Sequence, residues 1–302
     1  TAVGRGSCAT GNCSSAFGRG SAATGLESTA VGQRACATEC CASAFGHLVC
    51  ANQQGATALG YGSLAKGACS IAAGWYTCTH AGYSTAIGMG SCALDSVATA
   101  SGYKSCACRG STAMGYKSCG IGCCTLALGT HSCATGCYDM ALGYYTCTVP
   151  YPSPSNYNRA YVNIAIGFLA KACNGFRCCN NWVDYYLPSI AIGACICSTV
   201  CGSLAVGYCA HATNRYATVF GAHACATGWA AAAFGTYSYA TANCASSIGA
   251  GSCATGVCSS ALGYKACATG ACSSAIGFTI ANSTDGWMGL GVFDSGDCVY
   301  TN

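Results

Sequence analysis

The sequence predicts an all-β fold: a parallel β-roll, or β-solenoid, of 14-residue coils with about twenty rungs. Three observations predict it. Glycine recurs at a fixed step over most of the chain. Each step contains two short runs in which small and larger side chains alternate. The composition lacks what a conventional core requires: apolar residues make 52% of the chain, but much of that is Ala and Cys.

The glycine step comes first. Gly4, Gly18, Gly32, Gly46, Gly60, Gly74, Gly88 and Gly102 are each fourteen apart, one step of thirteen leads to Gly115, and fourteen resumes through Gly129 and Gly143. After an interruption, Gly193, Gly207, Gly221, Gly235, Gly249, Gly263 and Gly277 keep the same spacing. A period this strict marks stacked structural repeats. Fourteen residues suit two strands of about five residues and two tight turns. In Thr29-Ala30-Val31-Gly32 the small residues Ala30 and Gly32 share one face, and Thr29 and Val31 share the other. The face carrying only small residues must line the interior of a flattened coil.

Composition excludes several alternatives. Charged residues are 7% and prolines number four, which argues against disorder. The Gly-X-Y period of collagen is absent. Twelve basic residues are scattered along the chain at a net charge of +4, so no nucleic-acid partner is expected. No apolar run is long enough for a membrane helix, so no membrane insertion is expected in these residues. The chain begins inside a repeat, as a fragment or processed product would.

Taken in order, the chain divides into β-roll repeats over 1–146, a β-roll level with two inserted loops over 147–189, further repeats over 190–277, and an irregular last coil or C-terminal cap over 278–302. In-register stacking lines equivalent positions into rows. One row is large and apolar: Val3, Phe17, Val31, Phe45, Leu59, Ile87, Met114, Leu128, Leu142, Ile166, Ile192, Val206, Phe220, Phe234, Ile248, Leu262 and Ile276. A coil lined by Ala and Gly cannot bury this row, and left in water it invites association. It is therefore the candidate self-association surface, with each chain presenting the same stripe. A second row, just after the glycine, is aromatic: Tyr61, Trp75, Tyr103, Tyr116 and Tyr144. In the loops at 147–189, Tyr151, Tyr157, Trp182, Asp184, Tyr185 and Tyr186 are candidate contact residues, because loops on a rigid scaffold often bind.

Thirty-one cysteines point to an oxidising, extracellular or surface setting. No C-x-x-C occurs, so no thioredoxin-like, zinc-ribbon or haem motif is present. Several cysteines lie five apart: Cys8 and Cys13, Cys36 and Cys41, Cys119 and Cys124, Cys253 and Cys258, Cys267 and Cys272. Five residues around a tight turn can bring Cα atoms within disulfide range, so these are candidate cross-links. Others, such as Cys50 and Cys92, occur singly and could bridge coils or chains, or stay as buried thiols.

The repeat, [Ser/Thr]-Ala-[apolar]-Gly followed by a second Ala-x-Gly half, resembles the head repeats of trimeric autotransporter adhesins of the YadA type. The resemblance implies a left-handed parallel β-roll, three chains packed around an axis through the apolar row, and a role in adhesion. The chain departs from that pattern in its cysteine content.

No catalytic residue, metal or cofactor is expected. The five histidines are scattered and no nucleophile–base pair stands out. The leading expectation is a non-enzymatic extracellular fibre or filament subunit, assembling as a homotrimer or filament and stabilised by disulfides. An adhesin head binding host or surface ligands is the alternative. Ice binding is a third, resting on the threonine rows Thr10, Thr24, Thr38 and Thr227, Thr241, Thr255, Thr269, which Asn52, Lys66, His80, Leu94 and Cys108 interrupt.

Overall fold

The computed structural model describes residues 1–149, 162–173, 188–286 and 288–292. The chain forms two compact units, Thr1–Tyr138 and Asp139–Asn302. Among the described residues both are built only of β-strands, in parallel coils. The first unit holds ten coils, from Ala2–Val3 to Cys133–Ala134. Among its described residues the second holds nine, from Met140–Tyr144 to Ala281–Asn282, and a last strand, Met288–Val292.

Each coil has a longer strand, such as Thr57–Tyr61, and a two-residue strand, such as Leu64–Ala65. Equivalent strands pair in parallel with a shift of one coil. Thr57, Ala58, Leu59, Gly60 and Tyr61 stand opposite Ile71, Ala72, Ala73, Gly74 and Trp75. Each unit thus has one sheet of longer strands and one of short strands. Both sheets send small side chains inward: Ala30, Ala44 and Ala58 from the first, Ala37, Ala51 and Ala65 from the second, all fully buried in one cluster. Alternation along a strand puts these on one face and every larger neighbour on the other.

Two further inward positions per coil sit at the turns. Serine fills many of them, and its hydroxyl donates to the carbonyl three residues back: Ser28 to Gly25, Ser70 to Gly67 and Ser273 to Gly270, each at 2.7 Å. That satisfies a polar group that burial would otherwise penalise. The turns also use left-handed backbone at residues other than glycine, including Cys13, Glu27, Cys41 and Leu48, with φ between 54° and 58°. Stacking holds them there. The Cys41 amide donates to Leu26 and the Leu48 amide to Gln33, one coil back, at 2.8 and 3.0 Å.

Irregularities in the period are absorbed at turns. The thirteen-residue step leaves Thr99–Tyr103 in full register with Thr112–Tyr116, so the missing residue comes from the turn after Ala107. In the second unit Gly143, Gly167 and Gly193 are register partners, although twenty-four and twenty-six residues separate them. Beneath that level lies a buried polar column. The Asn163 amide donates to the Asp139 carboxylate at 2.8 Å, and the Ser189 hydroxyl to the Asn163 side-chain oxygen at 2.9 Å. The last strand, Met288–Val292, pairs with Ser274–Phe278.

Candidate functional site

Because most inward positions take small residues, most of the larger side chains are displayed outward, in rows one coil apart.

The apolar row is the largest such feature. In the first unit Phe17, Val31, Phe45 and Leu59 are consecutive register partners. Val3 is 54% exposed, and Phe17, Phe45, Leu59, Ile87 and Met114 are exposed as well, while Val31 and Leu128 are partly covered. In the second unit the row comprises Leu142, Ile166, Ile192, Val206, Phe220, Phe234, Ile248, Leu262 and Ile276, joined by register from Leu142 to Ile276. Ile192, Phe220, Ile248 and Leu262 are exposed, and the Phe220 and Phe234 rings stack at 5.3 Å. Ala73 and Ser101 hold the same position on the coils between Leu59 and Met114.

The aromatic row forms stacks. His47, Tyr61 and Trp75 stack at 4.9 and 4.4 Å, and Tyr103 on Tyr116 at 4.8 Å. In the second unit Tyr144 stacks on Phe168 at 5.3 Å. Lys104 and Lys117 reach over the rings of Tyr103 and Tyr116 at 5.4 Å, within cation–π range.

The ten cysteines of the five-apart pairs are thiols in this structure. The members of each pair occupy different rows. Cys8, Cys36, Cys119, Cys253 and Cys267 lie on short strands, whereas Cys13, Cys41, Cys124, Cys258 and Cys272 sit at left-handed turn positions. The strand cysteines face partners one coil away: Cys36 opposite Cys50, Cys78 opposite Cys92, Cys92 opposite Cys106 and Cys253 opposite Cys267. The loop residues Tyr151, Tyr157, Trp182, Asp184, Tyr185 and Tyr186 lie outside the described residues.

One segment of the strand cysteine row differs from the rest, and sequence reasoning passed over it. Cys78, Thr79 and His80 alternate out, in, out: Thr79 is buried, and Cys78 and His80 share the outer face. Cys78 Sγ lies 3.5 Å from His80 Nδ1, and Cys92 stands opposite Cys78 on the next coil. One sulfur or nitrogen atom from each of Cys78, His80 and Cys92 lies within 4.8 Å of the others. The signal available in the sequence is the tripeptide C-x-H with a further cysteine one period on.

The neighbours polarise this segment. The Cys92 thiol donates to the Cys78 sulfur, and the charges of His80 and Lys66 act in the same direction. Against the opposing effect of burial they bring the Cys78 thiol down to about 6. The same hydrogen bond, with burial, pushes Cys92 far up. Cys50 and Cys108 are each pushed up to about 11, chiefly by burial. Thiolate is the reactive form, and a group at about 6 is mostly ionised at neutral pH. In the reduced, metal-free chain at pH 7, Cys78 is therefore expected to be alkylated by iodoacetamide well ahead of Cys50 and Cys92, as read by peptide mass spectrometry over time.

Residues 9–35, 51–77 and 254–278 match the family model described as YadA head domain repeat (2 copies). No curated protein matches the chain. Each matched stretch spans about two coils, and the coils between and after the first two matches repeat the same strand pairing and the same small-residue interior. The matched stretches are similar to YadA-type head repeats and are set in a chain with 31 cysteines.

Proposed function

We propose that this chain is a non-enzymatic structural module of a cell or virion surface that assembles with copies of itself through the outward apolar row, as a homotrimer or filament. The exposed row carries this reading. It holds Phe, Leu, Ile, Val or Met at the same position of most coils, with Ala73 and Ser101 as interruptions, where a solvated face needs no large apolar side chain. Covering such a stripe with the same stripe of a second and third chain removes it from water, at about 25 cal/mol per Å2 of apolar area. Oxidation of the five-apart pairs, such as Cys8 with Cys13 or Cys253 with Cys258, would tie a turn to its strand and harden the assembly in an oxidising setting.

The match to YadA head repeats favours a second role for the same assembly, adhesion to host or other surface ligands. The threonine rows are interrupted at Asn52, Lys66, His80, Leu94 and Cys108 and form no continuous array of the kind ice binding requires.

Electron micrographs of the full chain at micromolar concentration test the assembly. Side-by-side bundles of coils are expected, and single-chain particles throughout would reject it. Retention of the assembled chain on surfaces coated with matrix proteins tests the adhesive role.

A further inference from the structure

We propose that Cys78, His80 and Cys92 form a binding site for a thiophilic d10 cation of the zinc class. The argument begins with register. In a coil, only every second residue of a short strand faces outward, and only the position one coil away is a direct neighbour. Cys78 and His80 meet the first condition on one coil, and Cys92 meets the second on the next. Three donors are thereby brought to one patch by backbone that the stacking already fixes.

The distances fit a metal polyhedron. Zinc binds thiolate at about 2.3 Å and imidazole nitrogen at about 2.0 Å, so an S···N edge of a zinc tetrahedron is about 3.5 Å. Cys78 Sγ and His80 Nδ1 are 3.5 Å apart, and all three donor atoms fall within 4.8 Å of one another. Nδ1 therefore already stands at coordination distance without movement of the backbone. Two sulfurs and one imidazole suit zinc or cuprous ion, and exclude magnesium and calcium, which take oxygen.

The chemistry of the donors agrees. Cys78, His80 and Cys92 each offer one soft or borderline donor atom, the set that such a cation prefers. On binding, the Cys92 proton leaves to solvent and its sulfur becomes an anionic ligand. Leu94 occupies on the next coil the position that His80 holds on its own, so a single imidazole enters the site. The register pair Cys253 and Cys267 has the same two sulfurs but threonines, Thr255 and Thr269, where the histidine would be. It serves as an internal control.

Cobalt(II) titrated anaerobically into the reduced full chain, followed by its visible bands, tests the site. The first equivalent is expected to show the intense absorption of tetrahedral thiolate-bound cobalt and to be displaced by Zn2+. His80→Ala and Cys92→Ser should each weaken that first equivalent by about 100-fold or more, since even residues behind the ligands contribute 10- to 100-fold. Cys253→Ser should leave it unchanged. All three side chains point outward, and far-ultraviolet circular dichroism verifies that the coils persist. A first equivalent that is unchanged in His80→Ala and Cys92→Ser, equally weakened by Cys253→Ser, or never tetrahedral overturns the proposal.

Discussion

Replacing both Leu59 and Ile87 by lysine is expected to leave the chain monomeric at concentrations where the parent assembles. The two positions lie two coils apart on the apolar row of the first unit and are 37% and 45% exposed. Covering what remains exposed is worth about 1–2 kcal/mol at each position. Lysine loses that gain and adds the desolvation of an unpaired ammonium, several kcal/mol per ion when fully buried. Symmetry places each substitution in every copy of the interface. The combined effect is expected to weaken association by about 1,000-fold or more, ~4 kcal/mol. The coil itself should be untouched, because neither side chain reaches the interior. Unchanged circular dichroism with a lower solution mass is the expected result. An unchanged mass would show that another surface holds the chains together.

Gly74→Ala is expected to cause a large loss of stability for a single added methyl group. Gly74 has φ near +136°, a conformation that side-chain-bearing residues rarely adopt. A Cβ there would overlap the carbonyl carbon and oxygen of Gly88 on the next coil. That carbonyl belongs to backbone stacked against Gly102 in its turn, so it cannot withdraw without disturbing the next pair. Backbone strain and overpacking each cost about 1–3 kcal/mol, so a loss of about 3 kcal/mol or more is expected. Gly6→Ala is the comparison. Its φ is near +70° and a Cβ would meet nothing within 4 Å, so about 1–2 kcal/mol is expected. Thermal unfolding of the two variants measures the difference. Equal losses would contradict the stacking account.

The contrast between these glycines explains how much of the fold could be read from the sequence. The row that includes Gly74 is dictated by two constraints at once, positive φ and a neighbouring backbone in contact. No other residue meets both, so the fourteen-residue period stands out. The left-handed turn positions meet only the first constraint, and their side chains point into solvent. Cys13, Glu27, Tyr76 and His131 all occupy such positions, so no single residue type marks the turns. The thirteen-residue step and the long glycine intervals were legible as irregularities. That register survives them follows from the pairing of Gly102 with Gly115 and of Gly143 with Gly167, which only the structure supplies.

The candidate sites divide in the same way. The apolar row was legible because its spacing equals the coil repeat and its residues are too large for the interior. The cysteine pairs five apart were read along the chain, whereas the closest relations of the strand cysteines run across it, from Cys36 to Cys50 or Cys78 to Cys92. The Cys78, His80 and Cys92 cluster escaped sequence reading for that reason. Its members are two and fourteen residues apart, a pattern with no meaning until strand alternation and coil register are known.

Sedimentation equilibrium of the reduced 302-residue chain tests the central claim, assembly through the apolar row. The account predicts a mass at least three times the 30.0 kDa of one chain, falling toward 30.0 kDa in the Leu59→Lys, Ile87→Lys variant. A soluble parent chain that stays at 30.0 kDa across the micromolar range would contradict it.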